Sequence, residues 1–231
     1  RVGVKAVGNY SMVNVINTYG TIPSDQSNGV FNSNISVGGA AFIERDFFQK
    51  KIALRAEVTY SIYKSSYVAD AYPSEINPGT TFVTYDNTET QSWLGFNFLG
   101  RYQFLKKSKL NPYFIAGPSV QYLISSNSAN ISNVAGGESA NGADLDFVET
   151  EIREKINLSA IGGAGMLFPI GRASIILEVT YQYGLSDITD KHNAPELTWR
   201  YGAAMSDISI STINFNLGVM LNKYSPKKLI N

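Results

Sequence analysis

The sequence has no cysteine and a single histidine, His192. Without thiols there is no disulfide, no cysteine-ligated zinc and no thiol nucleophile. Charged residues make up 16% of the chain, well below the ~25% of an ordinary soluble domain. The 19 acidic residues balance the 19 basic ones, which removes the basic footprint of a nucleic-acid binder. No apolar run approaches the roughly 18 residues that would mark a membrane helix. The chain opens at Arg1 with no apolar leader, which reads as a processed or trimmed form.

What the sequence does have is alternation. Ile52, Leu54, Ala56, Val58, Tyr60 and Ile62 interleave with Ala53, Arg55, Glu57, Thr59 and Ser61. A period of two over eleven residues is the mark of a strand with one apolar and one polar face; a helix would scatter Arg55 and Glu57 across its apolar stripe. Residues 173–185 repeat the pattern, with Ile175, Leu177, Val179, Tyr181 and Tyr183 on one face and Glu178, Thr180 and Gln182 on the other. Residues 2–12 and 212–222 do the same. Residues 34–45, 90–104, 111–125 and 154–168 follow it less cleanly. Pro112 and Pro118 weaken the fifth of these strands, because proline cannot donate to a ladder. Strands this long can cross a bilayer when tilted, which takes ~9–11 residues.

The connections alternate too. Residues 14–33, 65–89, 126–153 and 186–206 are long and polar; 46–50, 105–110 and 169–172 are short. Eight strands with long loops at one end and tight turns at the other describe an all-β, eight-stranded antiparallel up-and-down transmembrane barrel, with four extracellular loops and short periplasmic turns. A soluble barrel of the lipocalin kind is the competing architecture, but it places its apolar faces inside and has shorter loops. The expected barrel covers residues 1–222, followed by a short basic periplasmic tail, 223–231.

Aromatics gather at strand ends, as the girdles of such barrels do. Tyr102, Phe104, Tyr113, Phe114 and Phe168 fall near the short turns; Tyr10, Tyr60, Tyr63, Trp93, Tyr122, Tyr181 and Tyr183 fall near the long loops. Basic residues collect at the short-turn end, with Glu44 and Asp46 among them, and acids collect in the long loops. The acidic rim could hold divalent cations or a basic partner, or be plain solvated loop.

The order of these features resembles the PorT-like outer-membrane β-barrel family over essentially the whole chain. The similarity is carried by Val2-Gly3-Val4-Lys5-Ala6, by Val37-Gly38-Gly39, and by Leu54-Arg55-Ala56-Glu57-Val58-Thr59-Tyr60-Ser61. It continues in Leu99-Gly100-Arg101-Tyr102-Gln103-Phe104, in Asn111-Pro112-Tyr113-Phe114-Ile115-Ala116-Gly117-Pro118, in Ile161-Gly162-Gly163-Ala164-Gly165-Met166, and in Glu178-Val179-Thr180-Tyr181-Gln182-Tyr183-Gly184-Leu185. The chain departs from the family at Ala6-Val7, where a second glycine is usual, and in running past its last strand into 223–231. The resemblance implies an integral barrel of the bacterial outer membrane and, for the name-giving member, a role in type IX secretion and gliding.

The parity of the strands sets the candidate sites. Leu54, Val58, Leu94, Phe96, Phe98, Leu177, Val179, Phe215, Leu217 and Val219 are expected on the lipid-facing wall. Arg55, Glu57, Arg101 and Glu178 are expected in the lumen. An eight-stranded barrel is just wide enough for side chains to fill, so these four should pair as a structural ion-pair network. Arg55 and Arg101 repel unless a carboxylate lies between them; Glu57 is nearest in sequence and Glu178 reaches from across the barrel. A gate or proton path, or a catalytic carboxylate pair, are the functional alternatives. His192 with Ser186, Asp187, Asp190 and Glu196 could form a lipid-modifying or metal site, but one histidine supplies no ligand spacing. Asp144, Asp146, Glu149 and Glu151 lack a calcium-loop frame.

The expected function is therefore a non-enzymatic accessory or scaffold subunit of an outer-membrane secretion or assembly machine, without cofactor or metal. Its expected partners are the bilayer, lipopolysaccharide and other outer-membrane or periplasmic proteins, and no nucleic acid. A stand-alone adhesion or ligand-binding barrel acting through its loops is the second reading, and a lipid-modifying enzyme the third.

Overall fold

The structure is a computed structural model, and it describes residues 1–17, 32–47, 51–71, 83–104, 110–134, 140–141, 145–146, 153–189 and 207–221. Among them run eight long strands: β1 (Val2–Asn17), β2 (Ile35–Phe47), β3 (Ile52–Ala71), β4 (Val83–Gln103), β5 (Asn111–Val134), β6 (Ile156–Ile170), β7 (Ala173–Gly184) and β8 (Asp207–Leu221). Each is antiparallel to its neighbours in sequence. β1 also pairs with β8, Val2 opposite Leu221 and Ala6 opposite Leu217, so the sheet closes into an up-and-down barrel. Closure leaves no sheet edge around the girth, which is what a lipid environment requires of a β structure. The tail 223–231 lies outside the described residues.

Alternation translates directly into facing. On β7 the side chains run outward at Leu177, Val179, Tyr181 and Tyr183 and inward at Ile176, Glu178, Thr180 and Gln182. The outer face is apolar: Val4, Ile43, Phe98, Phe114, Phe215 and Leu217 are all exposed. The interior is mostly polar, the reverse of a soluble barrel.

Two local details fit the sequence to this frame. Gly171 opens the two-residue turn between Ile170 and Ala173 with φ 59°, a left-handed conformation that glycine adopts freely. Pro118 is accommodated by a gap in the β4–β5 ladder, where paired residues jump from Asn97–Ser119 to Gly100–Ala116. Gly117 lies there against the Phe98 carbonyl, too close for any β-carbon.

Three strands are longer than alternation indicates. β3, β4 and β5 have 20, 21 and 24 residues, and their ladder reaches Ala71 opposite Val83 and Val83 opposite Val134. Residues 65–71, 83–89 and 126–134, expected in loops, are strand. Hydrophobic periodicity marks a strand only while one face meets lipid. Beyond the bilayer the backbone ladder continues without it.

Candidate functional site

The lumen is the part of the molecule with concentrated chemistry. Its half near the short turns holds a charged network. Arg55 donates from Nε to Glu44 Oε2 at 3.0 Å and from Nη1 to Glu57 Oε1 at 3.3 Å, and Nη1 also pairs with Glu178. Arg101 grips Glu44 with two bonds, Nε to Oε2 at 3.1 Å and Nη2 to Oε1 at 3.0 Å, and reaches Asp46 at 3.3 Å. Lys5 bridges Glu57 at 2.7 Å and Glu178 at 2.9 Å. Tyr113 donates its hydroxyl to Glu178 at 2.6 Å, and Asn97 its amide to Glu57 at 3.3 Å. Arg1 closes the periplasmic end on Glu44 and Asp46. Phe42 lies under the Arg55 guanidinium, 4.5 Å from its centre, in a cation–π contact that supports a desolvated charge.

Of the residues marked from sequence, Arg55 bonds both Glu57 and Glu178, and Lys5 bridges the two carboxylates. Arg101 does not contact Glu178, and the carboxylate between the two arginines is neither Glu57 nor Glu178 but Glu44. Glu44 and Asp46 fall among the short-turn charges by sequence position, yet Glu44 is 4% exposed. Parity was the available signal: Phe42, Glu44 and Asp46 alternate with Ile43 and Arg45 on β2. Lys5, absent from the expected network, carries the same signal, since it alternates with Val4 and Ala6.

A second closure lies toward the long loops. Arg153 precedes β6 and grips Glu89 of β4 with two bonds, Nε to Oε1 at 2.8 Å and Nη2 to Oε2 at 2.7 Å. Gln91 and Ser126 also donate to Glu89, at 2.6 and 2.7 Å. Arg153 forms a backbone bridge with Thr189 and bonds its hydroxyl at 3.2 Å. Beneath this pair Tyr63, Trp93, Leu123, Ile188, Ile208 and Ile210 form an apolar cluster. Both residues fall in the stretches 65–89 and 126–153, expected as long polar loops; nothing in local sequence pairs residues 64 positions apart. Tyr63, Trp93 and Tyr113 also correct the aromatic belts. All three point inward, since they share the parity of the lumen residues on their strands, and are 3% exposed or less. Tyr10, Tyr60, Tyr102, Phe104, Phe114, Tyr122, Tyr181 and Tyr183 stand on the outside.

Between the closures lies a cavity of about 30 Å³, lined among others by Lys5, Asn9, Asn97 and Asn214. That is room for one or two waters. Asn9, Asn97 and Asn214 each present a buried side-chain atom without a protein partner, which such waters would satisfy.

On the wall, Leu54, Val58, Phe96, Phe98, Leu177, Val179, Phe215, Leu217 and Val219 are exposed and Leu94 is half-buried. In the loops, Ser186 bonds Asn157 and the Leu158 amide, and Asp187 caps the Thr189 amide. His192, Asp190, Glu196, Asp144, Glu149 and Glu151 lie outside the described residues, as does the side chain of Asp146. Among the described residues no cluster of acidic or histidine side chains is arranged to hold a metal ion.

A closed antiparallel barrel, apolar outside and polar inside, with short turns at one end, is an integral outer-membrane barrel. The family model of the outer membrane protein beta-barrel domain matches residues 1–190, and the chain belongs to that family. No curated protein matches the sequence. Among solved structures, Neisserial surface protein A (NspA) is similar at 11% identity, covering 96% of this chain and 97% of that one with a TM-score of 0.43. Ail, the attachment invasion locus protein of Yersinia pestis, is similar at 11% identity, 95% and 97% coverage, and a TM-score of 0.35. The N-terminal β-barrel domain of Pseudomonas aeruginosa OprF is similar at 11% identity, 94% and 97% coverage, and a TM-score of 0.34.

Proposed function

We propose that this barrel works by its surfaces, as a non-enzymatic accessory or scaffold subunit of an outer-membrane protein secretion or assembly machine. The PorT-like resemblance of its strands suggests a machine of the type IX kind. One observation supports this reading above the others: among the described residues the lumen is occupied at two levels by interacting side chains, and its buried glutamates Glu44, Glu57, Glu89 and Glu178 are held by arginines and Lys5. A lumen so occupied passes no solute and offers no free acid to a substrate. Arg55, Glu57, Arg101 and Glu178, with Lys5 and Glu44, are then a structural plug. The wall residues face lipid, and the wall, loops and periplasmic rim are the working surfaces, against the bilayer, lipopolysaccharide and neighbouring proteins.

The test is native. After gentle solubilisation of outer membranes the barrel should migrate within an assembly that contains secretion or assembly components, and its deletion should lower export of proteins to the cell surface. In planar bilayers the purified barrel should carry no steady current. A barrel that migrates alone, with export intact after deletion, overturns the reading.

The height of β3, β4 and β5 favours a second reading, adhesion or ligand binding at the cell surface. These strands carry more residues than the ~9–11 a span needs, so a sheet rises outside the membrane. Intact cells with and without the protein, compared for binding to host surfaces and matrix components, test it.

A further inference from the structure

Arg45 stands on the wrong face for a charge. It follows Ile43 on the outward parity of β2, is exposed, and pairs across the ladder with Leu54, which pairs in turn with Gly100. The next row toward mid-membrane is Ile43, Ala56 and Phe98. Ile43, Leu54 and Phe98 are 58–64% exposed and stand proud, while Ala56 and Gly100 leave the floor between them low. The result is a mostly apolar groove of about 670 Å³ on the outer wall, with Arg45 at its periplasmic mouth; Arg1, Glu44 and Arg55, paired with one another and with Asp46, also touch its lining. The Arg45 guanidinium lies 5.5 Å from the centre of the Phe47 ring. Phe47 is two residues nearer the turn, so the charge leans toward the membrane boundary, as a snorkelling arginine does. The neighbouring Arg1, by contrast, is committed to Glu44 and Asp46.

We propose that this groove is a lipid site for one phospholipid of the periplasmic leaflet, with its phosphate on Arg45 and an acyl chain laid over Ala56 and Gly100 between Leu54, Ile43 and Phe98. Charge decides the occupant. A purely apolar partner, whether a hydrocarbon tail or a second barrel wall, leaves the Arg45 guanidinium at the edge of hydrocarbon without a counter-charge. A phosphate at headgroup depth supplies that charge, and its own tail fills the groove that begins beside it. The site is independent of any secretion role, since it needs only the wall and the bilayer.

The experiment is native mass spectrometry of the purified barrel in mild detergent, with phosphatidylglycerol or diacylglycerol of the same chains added. Folding of each variant is checked by its heat-modifiable gel migration. The wild type should retain phosphatidylglycerol over diacylglycerol. Arg45→Gln should lower phosphatidylglycerol retention about five-fold and leave diacylglycerol unchanged, the ratio expected for one basic residue at an anionic surface. Ala56→Leu, which raises the groove floor and keeps the charge, should reduce retention of both lipids. Equal retention of the two lipids by the wild type, or phosphatidylglycerol retention unchanged in Arg45→Gln, overturns the site. So does undiminished binding to Ala56→Leu, which would show contact with the charge alone.

Discussion

Toward the short turns, Arg1, Lys5, Arg55 and Arg101 face Glu44, Asp46, Glu57 and Glu178; toward the loops, one pair, Glu89 with Arg153, is laid over a cluster of apolar side chains. In the first region the charges hold one another, and removing Glu44, Arg55, Arg101 or Glu178 strands a buried partner. In the second, packing of Trp93, Leu123 and Ile188 closes the lumen, and the ion pair serves to tie residues 153 and 189 to the wall. The barrel therefore joins a charged network near the short turns to an apolar cluster overlaid by the Glu89–Arg153 pair and its contact with Thr189.

The largest effect should come from breaking the first region at its shared carboxylate. Glu44 accepts from both Arg55 and Arg101, so Glu44→Leu leaves two guanidinium groups short of a partner. Breaking a buried pair costs ~3–5 kcal/mol. Urea unfolding of the barrel in vesicles, followed by gel shift, should show a loss in that range. A loss no greater than that of Glu89→Leu would abolish the distinction between the two regions.

Next in size is a charge moved from lumen to wall. Leu217 points outward on β8, in one row with Ala6 and Leu177; Leu221 points outward at the periplasmic end of the same strand, opposite Val2 and Ala173. Arginine on the lipid face costs ~2–4 kcal/mol at the midplane and ~0–1 near the boundary. Leu217→Arg should therefore destabilise the barrel in vesicles much more than Leu221→Arg. Equal losses would show that the wall is not sampled by depth in the way the apolar band implies.

How much of this was legible beforehand follows from what each signal reports. Period-two alternation reports facing, and Leu54 against Arg55 or Val179 against Glu178 placed eight strands and a closed barrel. The same parity also carried Lys5, Glu44, Tyr63 and Tyr113. Glu44, Tyr63 and Tyr113 are sorted to the ends by type, charged or aromatic, before parity is applied, and Lys5 is left without a lumen partner. The pairing of Glu89 with Arg153 was not legible at all. It depends on the register of β4 across β5 to β6, set by ladder bonds that every residue type forms alike. The rise of β3 to β5 above the membrane was hidden for a related reason, since polar strand residues outside lipid carry no periodic mark.

The second region should respond more mildly and over a shorter range. Glu89→Gln keeps shape and most hydrogen bonds but removes the charge that Arg153 holds; a hydrogen bond to a charged group is worth ~1.5–3 kcal/mol. The Glu154 amide bonded to Ile188 and the Ile188 amide bonded to Ile208 should exchange faster with deuterium. Amides of Arg55 and Glu178 should keep their rates. Faster exchange at both levels would mean that the two regions unfold together.

The smallest and sharpest distinction lies inside the first region. Its charges fall into two groups joined by Arg55: Arg1 and Arg101 with Glu44 and Asp46, and Lys5 with Glu57 and Glu178. Glu178 contacts Lys5 at 2.9 Å, whereas its link to Arg101 runs through Tyr113, whose hydroxyl it accepts while the Arg101 guanidinium lies 5.3 Å from the Tyr113 ring centre. Residues in contact or in one hydrogen-bond network couple by ~0.5–3 kcal/mol, and only sites without shared partners add to within ~0.3–0.5 kcal/mol. A double-mutant cycle of Glu178→Gln with Lys5→Met should thus show coupling in the first range. The same cycle with Arg101→Met should show a smaller coupling, because the link runs through Tyr113 and Arg55 and because Glu44 and Asp46 already neutralise Arg101. Equal coupling in the two cycles would mean that the network responds as one body through Arg55, and that removing any single member loosens the whole periplasmic half.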